Sequence, residues 1–387
     1  MIPPMRLPEP LAWLVDEAIA VRGADELLAT LGAKLIADGL PLVGGALTLR
    51  ATDPIIARRT WLWRAETGAV IEALGFGMPG FAPMRRAGGQ ESGKEQDKDQ
   101  GSEQGKVGRD WLHGLGTGLV REDVAGPALD SSGSAGPLLG WAISRPLAEA
   151  ESALLRQAAR FAAAPLAGLS SRATLAALLE AYLGRRGAAQ VLAGRSRREP
   201  GETIRAVLLF ADLRGFTELS ESMAAEAVVA ALDAWFDRIA GAVHAFGGEV
   251  LKFIGDGVLA IFPIGERSPS AACDAALSAV NAAQAGMAHL NQARGRQGQP
   301  PLQFGLALHL GEMRWGNVGT ADRLDFTAIG PAVNLVSRLE GLCRPLGRSV
   351  LITGAVAAQT GRALVPLGEH LLRGIVAPCA VFTLPEQ

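Results

Sequence analysis

Residues 204–221 read IRAVLLFADLRGFTELSE, and the fold of the second half of the chain turns on them. Ala206 to Ala211 is an unbroken apolar run, the composition of a central strand covered on both faces, and it ends in Asp212. A helix over roughly 224–245 follows, and then residues 247–262 read GGEVLKFIGDGVLAIF. There Asp256 stands between two glycines with apolar runs on either side, the signal for a tight β-hairpin. A solvated turn aspartate is the plain reading. If the hairpin and the first strand are neighbours in one sheet, however, Asp212 and Asp256 meet at one edge. Adjacent carboxylates raise each other's pKa unless a cation lies between them. Hard oxygen ligands of this kind suit Mg²⁺ or Mn²⁺, and such ions suit a nucleoside triphosphate.

Phosphates need donors, and the LRGFT turn after Asp212 offers the backbone amides of Gly215, Phe216 and Thr217 at a helix start. A turn with a capping threonine would have the same sequence. Further on, residues 316–340 read GNVGTADRLDFTAIGPAVNLVSRLE. Pro331 suits a first helical position, and Asn334 and Arg338 then share one face at i and i+4. An amide and a guanidinium so placed can hold a ribose and a phosphoryl group. The alternative is a surface helix on which Arg338 pairs with Glu340 or with a neighbouring chain.

Bulk composition narrows the classes. The 387 residues carry a formal net charge of −2, which gives no basic field for nucleic acid or an anionic membrane. Cys273, Cys343 and Cys379 have neither metal-ligand spacing nor a paired framework and read as small buried hydrophobes in a reducing compartment. No uninterrupted apolar run approaches about 18 residues, the N-terminus has no signal-peptide pattern, and the five histidines are dispersed. The expectation is a soluble cytoplasmic protein with no membrane span. A P-loop nucleotide hydrolase is excluded, because G-x-x-x-x-G-K-[ST] is absent.

Toward the N-terminus, Leu11, Leu14, Val15, Ala18 and Ile19, then Leu27, Leu28, Leu31 and Leu35, recur at helical spacing. Strand-like segments lie at 46–51, 60–68 and 136–144. Between them, residues 88–106 contain no apolar side chain and read as a disordered insertion of about 88–108. This order of elements resembles the GAF and PAS sensor domains, GAF preferred. Leu147, Leu154, Ala158 and Phe161 continue as a helix, with a break expected at Pro165 and Gly168 and a resumption at Leu175, Leu178, Leu179 and Tyr182. A coiled coil and a helix packed on its own domain would both give this stripe. An arginine cluster after Tyr182 reads as solvated surface. The expected domains are 1–165 (regulatory), 166–202 (helical linker) and 203–387 (catalytic).

The motifs FADLRGFTELSE, GGEVLKFIGDGVLAIF and RLDFTAIGPAVNLVSRLE, in that order and spacing, resemble the catalytic domain of the class III adenylyl and guanylyl cyclases over residues 203–385. The resemblance implies an α+β fold, a ferredoxin-like βαββαβ sandwich. It also implies that two Mg²⁺ (or Mn²⁺) ions per site are held by Asp212, Asp256 and the Leu213 carbonyl, and that a homodimer shares its two sites. Asn334 then matches the ribose-orienting asparagine, Arg338 the transition-state arginine, and Arg373, in LLRGIVAP, a basic residue against the terminal phosphates. Lys252 and Thr327 occupy the base-reading positions. A lysine only donates and a hydroxyl can accept, which favours ATP, although many relatives have an aspartate at the position of Thr327. The activity implied is conversion of ATP to cyclic AMP and pyrophosphate, under an unidentified effector of the N-terminal domain. A guanylate cyclase and a catalytically silent dimerisation module are the alternatives. A diguanylate cyclase fits poorly, since Val250 and Leu251 stand where its motif wants an acid and an aromatic.

Overall fold

The computed structural model describes residues 7–50, 56–76, 105–125, 136–195, 201–320 and 323–385. It divides into two units, Met1–Leu178 and Leu179–Gln387. In the first, helices α1 (Glu9–Asp16) and α2 (Ala24–Ala37) precede strands β1 (Leu42–Arg50), β2 (Ile56–Arg64) and β3 (Val70–Phe76). Helix α3 (Lys106–His113), strands β4 (Leu119–Val124) and β5 (Leu138–Ile143), and the long helix α4 (Glu149–Leu192) follow. The sheet is antiparallel, in the order β3-β2-β1-β5-β4. Leu27, Leu28, Leu31 and Leu35 are fully buried against Trp63 and Trp141, whose rings meet edge to face at 6.4 Å. A sheet with helices is compatible with a sensor domain. Edge strands β3 and β4, with the sequences VIEALGF and LVREDV, escape the sequence reading because charges interrupt their apolar positions, as is usual at sheet edges.

Three sequence expectations are corrected here. Val15 and Ile19 are exposed, because α1 stops at Asp16 and a 3₁₀ turn at Ala18–Ala20 shifts the helical phase. The insertion ends earlier than residue 108: α3 begins at Lys106, anchored by the fully buried Leu112, while residues 88–104 lie outside the described residues. The expected break at Pro165 and Gly168 does not occur. Buried Leu155, Ala158, Ala159, Ala162, Leu166 and Leu169 pack α4 onto the core of its own unit, and backbone geometry departs from helical only at Gly184 (φ 70, ψ 165). Helix α4 is also long and apolar enough, by length and composition alone, to cross a membrane, which does not establish a span.

In the second unit the order is β6 (Glu202–Arg214), α5 (Phe216–Ser222), α6 (Ala225–Ala245), β7 (Glu249–Ile254), β8 (Gly257–Pro263), α7 (Pro269–Arg296) and β9 (Gln303–Gly319). Strands run β9-β6-β8-β7, the ferredoxin-like arrangement of a βαββαβ unit. Then come β10 (Leu324–Ile329), α8 (Pro331–Glu340), β11 (Val350–Thr353), α9 (Gly354–Ala357), β12 (Val365–His370) and β13 (Cys379–Thr383). Strand β10 pairs with β9, and β11, β13 and β12 extend the sheet beyond β9.

Strand β6 is covered on both faces, as its apolar run demands. Val207, Leu209 and Ala211 pack with Trp235, Ile239 and Leu277 of α6 and α7. Ala206 and Leu208 join Val336 and Leu339 of α8 on the other face. Cys273 and Cys343 are buried, whereas Cys379 is half-buried.

Candidate active site

Pairing of β6 with β8 ends at Ala211↔Val258, so Asp212 emerges beside Gly257, the residue after Asp256. A two-residue turn, Gly255 and Asp256, joins the pair Ile254↔Gly257, and Gly255 holds φ at 63°, a conformation that favours glycine. Gly257 leaves room for its neighbour, since a Cβ there would stand 3.1 Å from the Phe210 ring and 3.4 Å from Asp212 Oδ1. Below the turn, the fully buried Trp235 donates its indole N–H to the Asp256 carbonyl at 2.9 Å. Strand end and hairpin tip thus bring the two acids into contact.

That contact is electrostatically unbalanced. Burial, the neighbouring Asp256 charge and a hydrogen bond with Asp256 push the Asp212 carboxyl up to about 7, with Glu340 adding to the rise and the Leu213 amide, which donates to it, opposing it. A third acid therefore stands close, Glu340, which the sequence offers only as a partner for Arg338. Glu340 fits into a notch on β9, where a Cβ on Gly305 would collide with its Oε1, and Gly305 is the residue paired with Asp212. Burial raises the pKa of Glu340, Arg214 opposes the rise and Asp256 adds to it. Arg214 itself donates to the Arg348 carbonyl. Among the described residues no group of three or more His, Cys, Asp or Glu side chains is arranged to hold a metal ion. Two oxygen-only side chains in contact still fit a hard divalent ion, with phosphate oxygens and backbone completing its shell.

The other sequence-singled residues fall into separate groups. Gly215, in the left-handed conformation (φ 70, ψ 22), opens the short helix α5 with Phe216 and Thr217, three residues past Asp212. Lys252 is on β7 and forms an ion pair with Asp325 of β10, a partner the sequence reading did not single out. Thr327 lies two residues along β10 and so shares the face of Asp325, while Phe326 between them stacks on Trp315 at 5.9 Å on the opposite face. Asn334 and Arg338 are exposed on α8. Arg338 precedes the inward-facing Glu340 by two residues, about 200° around the helix, so Arg338 points away from this chain's acid pair and does not pair with Glu340. Arg373 is exposed on the β12–β13 turn. Strands β12 and β13 are at the far side of the sheet from β7, and their turn is at the end opposite Asp212. Lys252 with Thr327, Asn334 with Arg338, and Arg373 thus lie on different elements from the Asp212–Asp256 contact.

The chain is similar to known proteins over its second half. Residues 200–371 match the family model described as the adenylate and guanylate cyclase catalytic domain. Adenylate cyclase 1 of Rhizobium meliloti is 38% identical over 154 residues, 39% of this chain and 23% of that protein. Adenylate cyclase of Anabaena cylindrica is 35% identical over 158 residues, 40% of this chain and 30% of that protein. The chain thus spans less than a third of the length of either relative. Among solved structures, the adenylyl cyclase CyaB from P. aeruginosa is 28% identical, with a TM-score of 0.44, covering 49% of this chain and 97% of that one.

Proposed function

Because residues 200–371 are a class III nucleotide cyclase catalytic domain, we propose that the protein is an adenylate cyclase that makes 3′,5′-cyclic AMP and pyrophosphate from ATP. The observation that carries the proposal is the contact between Asp212 and Asp256, with Asp212 held near neutrality in its ionisation by burial and by its neighbour. Two Mg²⁺ or Mn²⁺ ions per site, held by both carboxylates and the Leu213 carbonyl, would neutralise the triphosphate and acidify the ribose 3′-hydroxyl. In the reaction the 3′-oxygen gives its proton to solvent water and bonds to the α-phosphorus in line. The bond from that phosphorus to the bridging oxygen breaks, and pyrophosphate leaves with the electron pair.

The chain's own residues bind and orient ATP. Amides of Gly215, Phe216 and Thr217 face the phosphates. Lys252 and Thr327 read the adenine edge, with Asp325 holding the lysine until a base arrives. Asn334 orients the ribose, Arg338 stabilises charge at the α-phosphoryl group, and Arg373 meets the terminal phosphates. The outward direction of Arg338 supports a homodimer in which one copy supplies the acids and the other supplies Lys252, Thr327, Asn334, Arg338 and Arg373. Free cysteines and the ATP requirement support a cytoplasmic catalytic unit, and the position of the first unit upstream supports a regulatory role.

The test is incubation of purified protein with Mn²⁺ and ATP. Cyclic AMP and pyrophosphate in equal amounts are expected, and neither appears if the unit is catalytically silent. Guanylate cyclase is the second reading, because the Thr327 hydroxyl both donates and accepts. Cyclic GMP formed from GTP at a higher kcat/KM than cyclic AMP from ATP would establish it.

A further inference from the structure

The arginine-rich stretch after Tyr182 is expected from sequence to be solvated, but Arg186 is not. Its Nε and Nη2 donate to Oε2 and Oε1 of Glu249, both at 2.9 Å, and its Nη1 donates to Glu202 Oε1 at 2.7 Å. All three side chains are partly buried. A guanidinium fork closed on one carboxylate and tied to a second is among the strongest and most direction-specific polar contacts available to a protein.

What Arg186 joins is informative. Glu202 is the first residue of β6 and Glu249 the first of β7, with β8 between the two strands in the sheet. Both strands run antiparallel to β8. They therefore leave the Arg186 end in the same direction, β6 toward Asp212 and β7 toward the Asp256 turn. The β7–β8 register shifts between Val250 and Lys252, a β-bulge, which re-aims the side chain that follows it. Gly184 touches the same spot, since a Cβ there would stand 3.4 Å from the Val250 carbonyl. Leu183 and Val191 seat this part of α4 against the core beneath β6 and β8. Arg186 thus grips β7 on one side of the bulge, and Lys252 projects from the other side, three residues beyond Glu249.

We propose that Arg186 is a positioning residue that holds β7 in the bulged register from which Lys252 meets the nucleotide base. The inference rests on the reading of Lys252 as a base-reading residue. It touches neither substrate nor metal, and its effect passes through the strand.

The experiment uses the full-length chain as wild type, Arg186→Met and Arg186→Lys. Amide hydrogen exchange across residues 249–254 is measured without nucleotide, and kcat and KM are measured with ATP and GTP in the presence of Mn²⁺. In Arg186→Met, faster exchange at β7 is expected, with KM for ATP raised about tenfold, the ATP-to-GTP preference narrowed and kcat changed less than KM. Arg186→Lys should fall between the two, because an ammonium keeps the charge but not the fork. Wild-type exchange at 249–254 in Arg186→Met overturns the inference. So does a loss confined to kcat that follows the fraction of folded protein. A wild-type chain that makes no cyclic nucleotide would instead overturn the proposed function, and exchange at β7 would still decide whether Arg186 holds that strand.

Discussion

Two polar clusters in the second unit are built from the same kinds of side chain and are opposite in character. Around Arg186, two carboxylates close on one guanidinium and every strong donor finds an acceptor. At Asp212 and Asp256 two carboxylates close on each other, with Glu340 behind them, and the tension appears as an ionisation of Asp212 displaced to about 7. A cluster built round a guanidinium is a joint: one negative charge is left over, but each carboxylate meets the cation. Two carboxylates in contact at an accessible sheet end lack a positive partner, and under the proposed function a divalent cation would supply it.

The largest effect should come from splitting the unbalanced site between two copies. Asp212→Ala and Arg338→Ala should each lower kcat by about a hundredfold or more, as loss of a transition-state stabiliser does. Mixing the two proteins should restore measurable activity through one intact site per heterodimer. If heterodimers are seen by native mass spectrometry without any recovery, the shared-site reading fails.

A smaller effect is expected at the proposed base-reading pair, which belongs to neither cluster. Lys252→Glu with Thr327→Ala exchanges a donor for an acceptor and should move the ratio of kcat/KM values toward GTP by about tenfold or more. Unchanged ATP selectivity in that double variant would remove Lys252 and Thr327 from base reading.

Smaller again is the support under the hairpin. Trp235→Phe keeps an aromatic ring but removes the hydrogen bond to the Asp256 carbonyl, a neutral bond contributing about 1 kcal/mol. The concentration of Mn²⁺ giving half-maximal rate should rise a few-fold, beside the fall in melting temperature that any large-to-small change at a fully buried tryptophan brings. A lower melting temperature with the same Mn²⁺ dependence would reduce Trp235 to a packing residue.

The smallest effect is a pH dependence away from both clusters. Burial lowers the imidazole pKa of His309 to about 4, and its Nδ1 lies 3.1 Å from Thr353 Oγ1. Below its ordinary pKa the unfolded chain binds the proton more readily, so this contribution is complete above about pH 6.5 and is lost as pH falls toward 4. Differential scanning calorimetry should show a shallower decline of melting temperature over that window in His309→Gln. An unchanged decline would place the acid sensitivity in other groups.

Much of the catalytic unit was legible in one dimension. The apolar run before Asp212 has no polar position to turn outward, so it had to be central, and Gly-Asp-Gly between apolar runs had to be a tight turn. Asn334 and Arg338 share a face by helical period alone. Glu340 and Asp325 were not legible, because their meaning lies in contacts across β9 and β7 that no spacing encodes. Arg186 was misread for the same reason: a charged run looks solvated until the carboxylates that face it are known. Edge strands β3 and β4 and the continuity of α4 through Pro165 also escaped, since in each case packing overrides local preference.

By itself, then, the sequence determined the order of strands and helices through most of the second unit, the two acids at their turns and the resemblance to nucleotide cyclases, because periodicity, turn chemistry and motif spacing are local properties of a chain. Only the tertiary structure decided which charges face one another. It set Asp212 against Asp256, Lys252 against Asp325 and Arg186 between two strands, and it turned Arg338 away from the acids of its own chain. Coulomb interactions depend on distance through space, and that distance exists only once the sheet has formed.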